Sequence, residues 1–157
     1  MTQKGERRNR GAGPQHGGMS RRSARERAIS ILYEARIKEI VPTEVLAGES
    51  EGLADPLTVR IVQGVSSMQA DLDTRIAEHS TSWGFERLPI TAVSILEAAL
   101  WEIIDGKVSA AVAIDEAVEL AKTFGEPANA KFVNAVLSRV AGELGRLPRR
   151  PEGDASD

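Results

Sequence analysis

The sequence predicts an all-α protein. Three observations carry this. Apolar residues recur every three or four positions through almost the whole of residues 19–147. No stretch shows sustained alternation enriched in β-branched residues. Pro, Ser, Asn and Gly stand where helices begin and stop.

The elements follow in order. Ala24, Ala28, Ile31, Leu32 and Ala35 share one face of an opening helix, the face that packs into a core. PTEVLAGE predicts a short helix near residues 42–48, with Pro42 suited to its first turn. Ile61, Val65, Met68, Leu72 and Ile76 mark a long helix over residues 56–78 that Gly64 weakens slightly. Leu88, Ala92, Ile95, Leu96, Ala99 and Ile103 form the stripe of a middle helix, with Pro89 in its first turn. Ala113, Ala117, Leu120, Ala121 and Phe124 form the next, capped by Ser109 and stopped by Gly125. Val133, Val136, Leu137, Val140 and Leu144 form the last, with Asn129 as its cap.

A chain of 157 residues with 41% hydrophobic content supports one helical domain, here residues 19–147. Residues 1–18 lack large aliphatic side chains and are expected to be a disordered basic arm, and residues 148–157 a disordered tail. Without cysteine there is no disulfide framework, no thiolate metal site and no cysteine nucleophile. No apolar run approaches the roughly 20 residues that span a bilayer, so a cytoplasmic protein without membrane contact is expected.

The net charge of −3 conceals an asymmetry. Residues 1–27 hold Lys4, Arg7, Arg8, Arg10, Arg21, Arg22, Arg25 and Arg27 against Glu6 and Glu26, a balance of +6 that leaves −9 for the remainder. A basic arm on a body that repels polyanions confines their contact to one place. On the opening helix Arg21, Arg25 and Arg36 fall along the edge of the buried face, with Arg22 and Tyr33 beside them toward solvent. Arginine forks match phosphate oxygens, and a phenol ring offers a base a stacking surface. Cations at a helix N-terminus also oppose the macrodipole, so the cluster invites a functional reason. Single-stranded RNA is the ligand this chemistry suits best.

Catalytic chemistry is not expected. Asp115 and Glu116 are adjacent, and Glu119 shares a solvated face with Lys122. His16 lies in the arm, and His79 ends a helix with no acid, serine or second histidine at ligand spacing. No glycine-rich phosphate loop is present. Neither a cofactor nor a metal is expected.

Residues 21–35, RRSARERAISILYEA, and residues 112–137, VAIDEAVELAKTFGEPANAKFVNAVL, resemble the bacterial transcription antitermination family NusB. The family pattern joins an Ala-Ile-Asn/Asp-Glu-Ala-Val/Ile-Glu-Leu-Ala-Lys helix and a Phe-Gly stop to a Lys-Phe-Val-Asn-Gly-Val-Leu helix. Val112 to Gly125 and Lys131 to Leu137 match it nearly residue for residue. Arg21, Ala24, Arg25, Glu26, Ala28, Leu32 and Tyr33 match the family's first block, and Trp83, Leu88, Ile95, Leu96, Trp101 and Glu102 fit its middle helix.

The resemblance implies a compact helical fold of about seven helices in two packed subdomains. It implies a factor that is not an enzyme and that binds the boxA element of nascent ribosomal RNA. The partners implied are the small-subunit ribosomal protein NusE and the antitermination complex of RNA polymerase. RNA contacts are implied for Arg21, Arg22 and Arg25 with Tyr33 close by, and a second contact for Lys131, Phe132 and Asn134. The chain departs from the family at Thr91, Ala92 and Val93, where Val-Asp/Glu-Arg/Lys is usual, at Glu97, where Arg is usual, and at Ala135, where Gly is usual. Ala92 occupies an acidic position in the region implicated in NusE contact, so Tyr33, Ala92 and Glu97 are the candidate partner residues. Glu97 lies off the apolar stripe beside Ser94 and Trp101 and is expected to be solvated. The alternatives are a NusB-like interaction scaffold with weakened RNA or NusE binding, and the RNA-recruiting part of a ribosomal RNA cytosine methyltransferase. The latter requires a methyl-donor domain beyond residue 157.

Overall fold

The structure is a computed structural model that describes residues 20–49, 54–80, 84–124 and 127–147. The expected arm and tail, His16, Trp83 and the expected stop at Gly125 lie outside the described residues. Every regular element among the described residues is helical: α1 (Arg21–Lys38), α2 (Pro42–Ala47), α3 (Pro56–Glu78), a 3-10 turn at Phe85–Arg87, α4 (Ile90–Asp105), α5 (Ala110–Phe124) and α6 (Pro127–Glu143). Against about seven helices expected, these are six α-helices and one short turn, and the all-α class stands. No helix among the described residues is long and apolar enough to cross a membrane.

Two compact units divide between Ser67 and Met68. The division falls inside α3, where Met68 leaves helical geometry at φ −123°, ψ 15°. At the preceding residue, Ser67 Oγ donates to the Gly64 carbonyl one turn back at 2.9 Å. A Gly/Ser segment whose hydroxyl draws on main-chain carbonyls is a common cause of a kink. The sequence predicts an unbroken helix weakened at Gly64. The break lies four residues later.

In the first unit, α1 buries Ala24, Ala28, Ile29, Ile31, Leu32 and Ala35 and packs against α2. Leu57, Ile61, Val62 and Val65 complete this core from the first half of α3. At the end of α1, Glu39 takes a left-handed conformation (φ 58°, ψ 45°), and the Ile40 amide donates to Ala35 O at 3.0 Å. Arg27 grips the Glu49 carboxylate, with Nε donating to Oε1 at 3.0 Å, and so ties α1 to the chain that follows α2.

In the second unit α4 is the central helix. Every residue from Ala92 to Leu100 is buried, and the helix packs against both α5 and α6. Ser109 caps α5 as expected, its Oγ accepting from the Val112 amide at 3.1 Å. The helix α6 begins at Pro127, so Asn129 lies inside the first turn and is not the cap. Proline at the first position is preset in φ and loses no hydrogen bond there, which moves the start forward. Pro89, expected in the first turn of α4, instead stands just before the helix as its cap residue. Phe124, expected in the core, is the last residue of α5 and is 40% exposed. Long-range contacts close this unit. A guanidinium nitrogen of Arg146 donates to Ile104 O at 3.1 Å at the end of α4. His79 Nε2 lies 3.2 Å from Glu143 Oε1, an acid 64 residues away that helix spacing could not reveal.

Candidate nucleic-acid interface

The first turn of α1 is built by Ser20. Its backbone is extended (φ −73°, ψ 165°), and its Oγ accepts from the Ser23 amide at 3.0 Å. The Ala24 amide donates to Ser20 O at 2.9 Å, which starts the helix ladder. No acidic residue lies in the first turn itself. A second tie comes from α3, where the buried Thr58 donates through Oγ1 to Ala24 O at 2.9 Å.

The arginines do not form one exposed stripe. Arg21 and Arg22 are exposed, Arg36 is half-buried, and Arg25 is buried at 6% exposure. The buried face of α1 is wider than the apolar stripe: Arg25 and Ile29 are both enclosed, so the edge that sequence spacing assigns to solvent belongs to the core. Arg25 therefore presents too little surface to grip a phosphate. Arg27 is exposed, but its guanidinium is committed to Glu49.

Tyr33 is 42% exposed, as expected. It follows Arg22 by eleven residues, which places the two within about 20° around the helix and about 16 Å apart along it. One line of α1 thus carries an exposed guanidinium at its start and an exposed phenol ring three turns on. Beyond the ring, Ile37, Ile40 and Val41 are exposed apolar residues, a group sequence reasoning missed. The signal was available: Ile37 follows Tyr33 at i+4, off the buried stripe.

On α6, Lys131 and Asn134 are exposed three residues apart, hence on one face, while Phe132 is half-buried beside the core residues Val133 and Val136. This group belongs to the second unit, and the α1 group belongs to the first.

The candidate partner residues separate sharply. Tyr33 is at the surface, but Ala92 and Glu97 are both 0% exposed. The expected solvated Glu97 is corrected to a core residue whose Oε2 accepts from Gln69 Nε2 at 3.2 Å. An apolar stripe marks one buried side of a helix only when the other side meets water; α4 is enclosed all round. Glu119 and Lys122 form the expected surface pair at 3.4 Å. No group of three metal-ligating side chains occurs among the described residues.

Comparison with known proteins bears on this geometry. The model of the NusB family matches residues 22–142, from the first turn of α1 to the last of α6. The transcription antitermination protein NusB of Bacillus velezensis is 34% identical over 128 residues, covering 80% of this chain and 98% of its own. The solved structure of T. maritima NusB superposes with a TM-score of 0.71 at 25% identity, over 80% of this chain and 92% of that one. A structure of the antitermination factors NusB and NusE in complex with double-stranded RNA shares the fold, with a TM-score of 0.66 at 21% identity over 78% and 96% of the two chains. With a family match spanning α1 to α6 and 34% identity to a relative over an alignment that covers most of both chains, the protein belongs to the NusB family of transcription antitermination proteins.

Proposed function

We propose that the protein binds boxA-type RNA of nascent ribosomal RNA together with the small-subunit ribosomal protein NusE. In doing so it acts in the cytoplasm within the antitermination complex of RNA polymerase. The observation that carries this reading is the exposed line of α1 with Arg22 at its start and Tyr33 on the same side, and with Arg21 exposed in the same first turn. Arginines that neutralise phosphates release condensed counterions, and the ring accepts an unstacked base. Support comes from the family and from a solved NusB–NusE complex with RNA built on this fold.

Arg36, half-buried on α1, and Lys131, Phe132 and Asn134 on α6 are proposed as secondary RNA contacts. Tyr33 and the apolar residues after it are the surface proposed for NusE. Ala92 and Glu97 are not, because both are buried. Both departures from the family therefore lie in the core.

The test is a titration of boxA-type and scrambled single-stranded RNA with and without purified NusE. Tighter binding of the boxA-type RNA, strengthened by NusE, is expected. Equal affinity for both sequences whether or not NusE is present contradicts the reading.

A further inference from the structure

The first turns of α1 carry a concentration of cations. Arg21, Arg22 and Arg25 lie within five residues of the helix start, and the first turn holds no acid. Cations there oppose the macrodipole and repel one another, and a helix end with unsatisfied amides frays unless something holds it. Ser20 supplies a local cap. The other tie is remote: Thr58 is 0% exposed, sits 34 residues along the chain, and donates to Ala24 O at 2.9 Å.

This bond satisfies no orphan group on α1. Within the ladder of α1 the Ala24 carbonyl already faces the amide four residues on, so Thr58 uses its second lone pair. Packing does not call for the hydroxyl either, because valine has the same shape. The base of the tie is itself ordered: Asp55 Oδ1 accepts from the Leu57 amide at 2.8 Å and caps the start of α3. The capped start of α3 therefore holds the turn of α1 that carries Arg21 and Arg22.

We propose that Thr58 is a positioning residue for RNA binding, pinning the arginine-bearing turn of α1 through the Ala24 carbonyl so that Arg21 and Arg22 meet phosphates from an ordered helix. The proposal rests on the RNA-binding function above. A turn that is ordered only part of the time lowers apparent affinity by the fraction ordered. Loss of one neutral hydrogen bond sets that effect at about two- to tenfold.

The experiment compares Thr58→Val, Thr58→Ser and Arg22→Ala with the parent, titrated with single-stranded boxA-type RNA across a salt series. Thr58→Val is expected to bind about two- to tenfold more weakly at every salt concentration with an unchanged slope of log affinity against log salt, because the same arginines reach the same phosphates once the turn forms. Thr58→Ser, which keeps the hydroxyl, is expected to restore parental affinity. Arg22→Ala is expected to flatten the slope. In the absence of RNA, amide exchange at Ala24 and Arg25 is expected to quicken in Thr58→Val while exchange in α4 keeps its parental rate.

A Thr58→Val protein with lower Tm but parental affinity and exchange has lost only stability, and overturns the proposal. A flattened slope in Thr58→Val, or no rescue by serine, overturns it as well. Should valine prevent folding, serine and alanine at this position carry the same comparison of affinity and exchange. If Arg22→Ala changes neither affinity nor slope, the RNA-binding reading falls and takes the proposal with it, whereas quickened exchange alone still shows that Thr58 holds the turn.

Discussion

Glu97 is fully buried in α4 and hydrogen-bonded by Gln69, so the arginine usual in the family cannot replace it without forcing a longer cation into a closed core. Glu97→Arg is expected to lose about 3 to 5 kcal/mol of unfolding free energy in a denaturant titration. A variant as stable as the parent would mean that this side chain reaches water. At the end of α1, Glu39 holds a left-handed conformation that a side chain makes costly. Glu39→Gly is expected to raise stability by about 0.5–1 kcal/mol, read as a higher Tm, and a lower Tm would show that the glutamate side chain contributes more than its backbone strain costs. Both positions show the limit of reading single residues from spacing. Helical periodicity gives the direction in which Glu97 or Arg25 leaves the helix axis, but not what stands opposite. Tyr33 was legible because nothing in the fold covers that direction.

Elements were more legible than residues. The bounds of α2 and α3 follow from Pro42, Pro56 and the apolar stripes, because proline at a first turn and a repeat of three and four residues are local signals. The kink at Met68 depends on how hydroxyls near Gly64 and Ser67 distribute over main-chain carbonyls, which periodicity does not carry. The 3-10 turn at Phe85–Arg87 is too short to show a period at all. On α6, Gly142 lies in the last turn with open space where a Cβ would stand. Gly142→Ala is expected to stabilise the protein by about 0.5 kcal/mol through helix propensity, seen as a small rise in Tm. A fall in Tm would show that this glycine is needed for the left-handed Gly145 turn that follows and for the contact of Arg146 with α4.

For the molecule as a whole, membership of an antitermination family agrees with the expectation of a protein that is not an enzyme. The asymmetry of charge in the sequence pointed to α1, and of the contacts proposed on that helix Arg21, Arg22 and Tyr33 are exposed. If the ring stacks on a base, Tyr33→Ala is expected to cost about 1–3 kcal/mol of RNA binding while Tyr33→Phe costs little. Equal losses would point to a hydrogen bond from the phenol instead. The central claim, that the exposed arginines of α1 grip RNA phosphates, is tested most directly by the salt dependence of boxA-type RNA binding in the Arg21→Ala/Arg22→Ala variant. Because each arginine contributes about 0.7 to the slope on single-stranded RNA, the expected result is weaker binding with a slope lower by up to about 1.4, at unchanged Tm. Parental affinity and slope in a folded double variant would contradict it.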